Sequence, residues 1–189
     1  APSMGDNSQA KLDIFDAEFV GNSAVMKGGA IYSTFYDSVT ERNAVYMKDT
    51  DFTGNSAQNG GAIYNDGVAD KADNKASMKI VGGEFEKNTA TDEGGAIFNK
   101  GNMTILGAEF EGNVVAEGFG GAIKNNGTLV VENSKFSDNV AHVNGAFSTS
   151  GKTGNTTITG GSFDSNHATA DGGALGLYLD AAVTGTYFQ

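Results

Sequence analysis

The chain has 189 residues, with 28 Gly, a single Pro and no Cys. Its formal net charge of −11 argues against nucleic-acid binding and against direct docking on anionic lipid, because both surfaces are negatively charged. The lack of Cys excludes disulfides and thiolate metal sites, and no apolar run is long enough to insert into a membrane. An acidic surface of this kind aids solubility and is compatible with a basic protein partner.

Residues 1–11 are mostly polar and are predicted to form an N-terminal extension or cap. After them, one pattern recurs six times: a pair of residues two positions apart, apolar in five of the six copies, then Phe, Asn and a Gly-Gly-Ala-Ile element. The Phe residues are Phe19, Phe52, Phe85, Phe110, Phe136 and Phe163. The Asn residues are Asn22, Asn55, Asn88, Asn113, Asn139 and Asn166. Successive Phe residues are 33, 33, 25, 26 and 27 positions apart, and such a period indicates a solenoid.

Each part of the repeat has a predicted structural role. The paired residues, such as Leu12 and Ile14, have the two-residue period of a half-buried strand. The Phe is expected to point inward, and the Asn to hydrogen-bond to the Asn of the next coil. The Gly pair permits a close reversal, after which the Ala-Ile pair begins another strand.

These roles amount to about three strands and three corners per coil. The sequence therefore predicts an all-β protein in which residues 12–189 form a single right-handed, three-faced parallel β-helix, or β-solenoid. The helix would have about six coils of ~25 residues each, with neighbouring strands ~4.8 Å apart.

With its FxxN and GGA(I/L/V) motifs, the chain resembles the chlamydial polymorphic outer-membrane protein repeat. Five of the six copies carry both motifs, and the fifth departs with Asn144-Gly145-Ala146-Phe147. The resemblance covers about residues 12–188. It implies a β-helical autotransporter passenger with an adhesive role, and similar repeats occur in other exported bacterial and algal proteins.

Two insertions, near residues 33–43 and 66–75, lengthen the first two intervals. Because they belong to neighbouring coils, we expect them to lie side by side. Candidate partner-binding residues within them are Phe35, Tyr36, Arg42 and Asp70. The insertions form either a partner-contact lobe or surface loops that the fold merely tolerates.

Three aromatic residues, Tyr32, Tyr64 and Phe98, occupy one register directly after the Ile of the first three copies, where the fourth copy has Lys124. They form either an exterior stack that binds sugars or proteins, or a layer packed beneath the insertions. All three are further candidate partner-binding residues.

A row of carboxylates flanks two neighbouring Phe positions: Glu84, Glu86, Glu109 and Glu111. This row either binds Ca²⁺ weakly or is a solvated acidic face, and the latter is preferred because the chain has no repeated calcium motif and no EF-hand loop. His142 and His167 are interpreted as exposed corner residues, since two ligands do not make a metal site. We therefore expect no cofactor, no metal and no catalytic residues.

The leading functional hypothesis is a non-catalytic extracytoplasmic interaction module, an adhesin-like passenger fragment that binds a protein partner or cell-surface receptor, or a glycan. The alternative is a small structural subunit of a larger membrane-associated or organellar assembly, for example in the thylakoid lumen. A polysaccharide-active enzyme is the third hypothesis. It is disfavoured because the chain's one Arg lies in an insertion and no cluster of carboxylates with a base is evident.

Overall fold

The computed structural model describes residues 11–34, 44–67, 77–150, 155–178 and 180–189. The predicted N-terminal extension, apart from Lys11, and most of both predicted insertions lie outside these ranges. The described residues form strands joined by turns and contain no helix that could cross a membrane.

The strands, numbered in chain order, make four parallel sheets. The first sheet contains β1 (Lys11–Phe15), β4 (Ala44–Lys48), β8 (Ser77–Val81), β12 (Asn102–Leu106), β16 (Thr128–Glu132), β20 (Thr156–Thr159) and β24 (Ala181–Thr184). The second contains β2 (Glu18–Val20), β5 (Asp51–Thr53), β9 (Glu84–Glu86), β13 (Glu109–Glu111), β17 (Lys135–Ser137), β21 (Ser162–Asp164) and β25 (Tyr187–Phe188). The third contains β6 (Ser56–Asn59), β10 (Thr89–Glu93), β14 (Val114–Val115), β18 (Val140–Ala141) and β22 (His167–Ala168). The fourth contains β3 (Ile31–Thr34), β7 (Ile63–Asp66), β11 (Ile97–Asn99), β15 (Ile123–Asn125), β19 (Phe147–Thr149) and β23 (Leu175–Gly176).

The chain visits the four sheets in turn and then begins the next coil, which confirms the predicted parallel β-helix. A full coil contributes a strand to each of the four sheets, whereas the repeat pattern indicated about three strands. The difference arises in the third sheet, where strands such as Val114–Val115 have only two residues. A segment this short contains too few positions to show an apolar–polar alternation.

The core is a continuous apolar column inside the coils. The first sheet contributes alternating side chains such as Met103 and Ile105, the second contributes the Phe residues, and the fourth contributes Ile residues such as Ile97 and Ile123. Phe110 is 1% exposed, and its strand neighbours Glu109 and Glu111 point to solvent. The two-residue strand period therefore separates core from surface.

The Phe rings stack along the axis. From Phe19 to Phe163, successive ring centroids are 4.5–4.9 Å apart and the ring planes differ by at most 11°. This separation equals the spacing of parallel strands, ~4.8 Å, so the backbone places identical rings at contact distance. Each interior ring of the column consequently packs against two others as well as against the core.

The six Asn residues of the repeat form a hydrogen-bonded ladder beside the Phe column, and its four middle members are buried. In its middle, Asn113 accepts hydrogen bonds at Oδ1 from the backbone N–H and from Nδ2 of Asn88, each at 3.0 Å. Its own Nδ2 donates to the backbone oxygen of Phe85 at 2.8 Å and to Oδ1 of Asn139 at 2.9 Å. The side chain therefore ties three coils together and satisfies turn amides that would otherwise be buried without partners.

A second Asn ladder, which the sequence analysis did not identify, lies toward the carboxyl ends of the fourth-sheet strands. Nδ2 of Asn65 donates to Oδ1 of Asn99 at 2.7 Å, and Nδ2 of Asn99 donates to Oδ1 of Asn125 at 2.7 Å. These residues come two positions after the repeat Ile, so aligning the repeats at that Ile would have revealed them. All three are buried.

The Gly pair brings the third sheet directly against the fourth. Gly94 has φ +64°, which favours Gly, and a Cβ at Gly95 would collide with the backbone oxygen of Gly121 in the next coil. A side chain at either position would separate the coils or open the reversal. This tight corner determines which side chains meet on the outside of the coil.

Replacing Phe110 with Ala should lower the free energy of unfolding by about 3–5 kcal/mol, because it interrupts the ring stack and leaves a cavity. Glu111→Ala, a change at the neighbouring solvent-facing position, should stay within about 0.5 kcal/mol of the wild type. Chemical denaturation of the two variants measures the difference. Equal midpoints would contradict the inward Phe column.

Asn113→Ala should cost at least about 3 kcal/mol, since it leaves the N–H groups of Asn88 and the oxygen of Phe85 without their partners. The same substitution at the exposed Asn22 should cost under about 1 kcal/mol, because the backbone N–H of residue 22 can still donate to Asn55. Denaturation midpoints of the two variants test this difference. If both substitutions cost the same, the buried ladder does not carry the stability assigned to it.

Candidate interaction surface

The reversal at the Gly pair places two columns of side chains next to each other outside the apolar core. One column is the residue before each Gly pair or its equivalent: Lys27, Asn59, Glu93, Phe119 and Val143. The other is the second residue of the first five fourth-sheet strands: Tyr32, Tyr64, Phe98, Lys124 and Ser148. Two lysines connect the columns, since Nζ of Lys27 lies 4.7 Å from the ring centroid of Tyr64 and Nζ of Lys124 lies 4.7 Å from that of Phe119.

The three aromatic residues form one row, but only its first ring is open to solvent. The centroids of Tyr32 and Tyr64 are 5.7 Å apart, and those of Tyr64 and Phe98 are 4.8 Å apart. Tyr32 is 47% exposed, whereas Tyr64 and Phe98 are each 4% exposed. The row is therefore not an exposed three-ring stack. Tyr64 and Phe98 lie buried behind Tyr32.

Asp66, at the end of β7, joins three neighbouring coils. Its Oδ2 accepts hydrogen bonds from Nζ of Lys27 at 3.1 Å and from the hydroxyl of Tyr32 at 2.9 Å, both from the preceding coil. Its Oδ1 lies 3.2 Å from Nζ of Lys100 in the following coil. We use the name corner cluster for six residues: Lys27, Tyr32, Tyr64, Asp66, Phe98 and Lys100.

The contacts within the corner cluster shift the pKa of its charged groups. Burial alone would raise the pKa of Asp66, but hydrogen bonds from Lys27, Tyr32 and Lys100 outweigh it and hold that pKa below its usual value. The hydrogen bond to Asp66 likewise raises the pKa of Lys27. Both groups therefore remain charged at neutral pH, and the cluster keeps its ion pairs there.

Lys124 shows a different arrangement in the same two columns. It is 2% exposed, and its Nζ donates to Oγ of Ser148 at 3.2 Å beside the ring of Phe119. Burial lowers the pKa of Lys124, and burial also raises the pKa of Glu93 nearby. This lysine is part of the packed interior of the corner and is closed to solvent.

The sequence-predicted contact residues fall into two groups. The first group, Tyr32, Tyr64 and Phe98, forms one row of contacting rings. Phe35, Tyr36, Arg42 and Asp70 lie outside the described residues, so their part in a contact lobe stays a prediction. Along the chain, the ranges 35–43 and 68–76 come after β3 and β7. These two strands are neighbours in the fourth sheet, and Thr34 of β3 pairs with Asp66 of β7. Sequence reasoning did not single out Lys27 or Lys100, although Lys27 directly precedes a Gly pair, where an alignment of the repeats would have exposed it.

The predicted row of carboxylates lies on the second sheet. Glu84 pairs with Glu109 and Glu86 with Glu111 in parallel register, and Nζ of Lys135 lies 2.6 Å from Oε1 of Glu109. Within the described ranges, no group of three or more His, Cys, Asp or Glu side chains is arranged to hold a metal ion. Nδ1 of the exposed His142 lies 2.8 Å from Oγ1 of Thr169.

Comparison with known families identifies the repeat. Three segments, 16–34, 49–66 and 82–100, match the model of the Chlamydia polymorphic membrane protein repeat. The match is limited to these three repeats, which make up under half of the chain. It confirms the resemblance noted from the FxxN and GGA(I/L/V) motifs, and every residue of the corner cluster lies inside the matched segments. No curated protein and no solved structure matched the chain.

Asp66→Asn should reduce the free energy of unfolding by about 1–2 kcal/mol at pH 7, because the change removes the charge that pairs with Lys27 and Lys100. A carboxylate with a lowered folded-state pKa contributes stability above its unfolded pKa, about 4, and loses it as the pH falls through the folded value. The difference between Asp66→Asn and the wild type should therefore shrink below about pH 4. Denaturation midpoints at several pH values measure it, with the exposed Glu117→Gln as the control. A difference that stays constant down to pH 2 would refute the assignment.

Proposed function

We propose that this chain is a non-catalytic extracytoplasmic interaction module, an adhesin-like passenger segment that binds a protein partner or receptor at a cell surface. The observation that carries the proposal is the match of three consecutive coils to the Chlamydia polymorphic membrane protein repeat. The same three coils contain the corner cluster, so the repeat and the candidate contact surface coincide.

The construction of the β-helix favours a binding role. Stacked Phe rings and buried Asn ladders hold each coil to its neighbours, which keeps the outward-facing side chains at fixed separations. A rigid surface loses little conformational entropy when a partner binds. Tyr32 is exposed beside the cation Lys27, and Tyr is among the residues that most often dominate the energy of protein interfaces.

A second candidate function is a structural subunit of a larger membrane-associated or organellar assembly. It is favoured by the exposed apolar side chains of Val25 (89% exposed) and Met26 (61% exposed), which directly precede Lys27. Neighbouring exposed apolar residues are typical of surfaces that a partner covers. Gentle isolation of the native protein, followed by mass spectrometry of what accompanies it, separates the two functions. A stable complex of fixed composition supports the subunit.

The adhesion proposal is tested by coating beads with the purified protein and measuring their attachment to cultured animal cells. Replacing Tyr32 with Ala should reduce attachment about tenfold, as expected for losing a central aromatic contact of an interface. The matched control replaces Tyr178, an exposed Tyr near the other end of the β-helix, with Ala. Attachment no greater than that of uncoated beads, or an equal loss in both variants, would contradict the proposal.

A further inference from the structure

Three side chains of the corner cluster enclose a cation. The rings of Tyr32 and Tyr64 are inclined at 64° to each other, with centroids 5.7 Å apart. Nζ of Lys27 lies 5.3 Å from the first centroid and 4.7 Å from the second. The carboxylate of Asp66 supplies a third side, 3.1 Å from the same nitrogen. Two aromatic faces and a carboxylate around an ammonium group are the arrangement by which proteins recognise organic cations.

The cage faces solvent, unlike the other lysine–aromatic pair at this corner. Lys124 beside Phe119 is 2% exposed and closed off. In contrast, the side chain of Lys27 is 35% exposed and Tyr32 is 47% exposed. The position equivalent to Lys27 is Asn59 in the next coil and Val143 in a later coil. The cation is thus a local feature of the first coil, and the repeat does not require it.

We propose that Tyr32, Tyr64 and Asp66 form a binding site for a lysine side chain of a basic protein partner, and that Lys27 occupies this site in the partner's absence. The inference rests on the proposed interaction function and specifies the chemistry of the partner. A primary ammonium fits because Asp66 Oδ2 already accepts hydrogen bonds from Lys27 and from the hydroxyl of Tyr32. The net charge of −11 steers basic partners toward the chain and repels acidic ones.

Lys27 acts as an internal competitor in this arrangement. A group tethered close to a site is present there at an effective concentration on the order of millimolar or higher, so an external lysine must displace it. Removing the ammonium of Lys27 while keeping a similar aliphatic stem should therefore strengthen binding of an external lysine. If Lys27 served only to hold the first two coils together, its removal would leave a site without affinity for lysine.

The test uses the full chain and Nα-acetyl-lysine amide as the probe, with binding followed by the NMR signals of the Tyr rings. Lys27→Met, and separately Lys27→Gln, should bind the probe at least about tenfold more tightly than the wild type. Lys79→Met is the matched control. It removes the same charge from an exposed position on the first sheet, and it should bind like the wild type. Thermal unfolding followed by circular dichroism verifies that each variant is folded.

Two further variants locate the binding. Adding Asp66→Asn or Tyr32→Ala to Lys27→Met should abolish the gain in affinity. The proposal is overturned if neither Lys27 variant binds more tightly than the wild type, or if the gain survives both added substitutions. It is also overturned if the trimethylated probe binds and the primary amine does not, since that result assigns the cage to quaternary ammonium groups.

The titration is independent of the cell-attachment experiment. Binding of the lysine probe without attachment to cells supports the cage and contradicts the adhesion proposal. Attachment to cells without probe binding contradicts the proposed lysine site. It indicates that adhesion depends on another surface of the β-helix.

Discussion

The structure depends on the in-register parallel pairing of each coil with the next. Because neighbouring strands are ~4.8 Å apart, a side chain lies at that distance from its counterpart one coil away. In the interior, this favours residue types that can contact themselves along the axis. Phe does so by stacking, with centroid separations of 4.5–4.9 Å. Asn does so because its amide is both donor and acceptor, and its contacts repeat at 2.9–3.0 Å.

The same constraint explains where the surface becomes distinctive. A column of identical side chains contributes mainly to stability. The surface properties that distinguish one coil from the next therefore come from positions where the residue type differs between coils. At the outer corner the column before the Gly pair contains Lys27, Asn59, Glu93 and Phe119, four different chemistries in four coils. Two lysines there meet aromatic rings, one in the closed corner and one open to solvent. Of the two pairs, the open pair is the one on which our binding proposal rests.

The chain's charge distribution agrees with a basic partner. Carboxylates cover much of the second sheet, and the net charge is −11, so a positively charged protein is attracted at long range. Long-range attraction raises the rate of encounter, and in our proposal the corner cluster supplies the short-range contacts to a basic group. A rigid β-helix suits both roles because its outward side chains keep fixed relative positions.

The amino-acid sequence by itself determined the parallel β-helix, because recurring Phe and Asn residues can stack and hydrogen-bond along the axis only if successive coils pair in register. The sequence predicted about three strands per coil, whereas a full coil has four. The fourth was missed because a strand of two residues, such as Val140–Ala141, is too short to show an apolar–polar alternation. Only the tertiary structure brought Lys27, Asp66 and Lys100 together, from positions 39 and 34 residues apart. Whether such residues meet depends on coil length and on the exact reversal at the Gly pair. These are properties of the packed backbone, and the local sequence does not encode them.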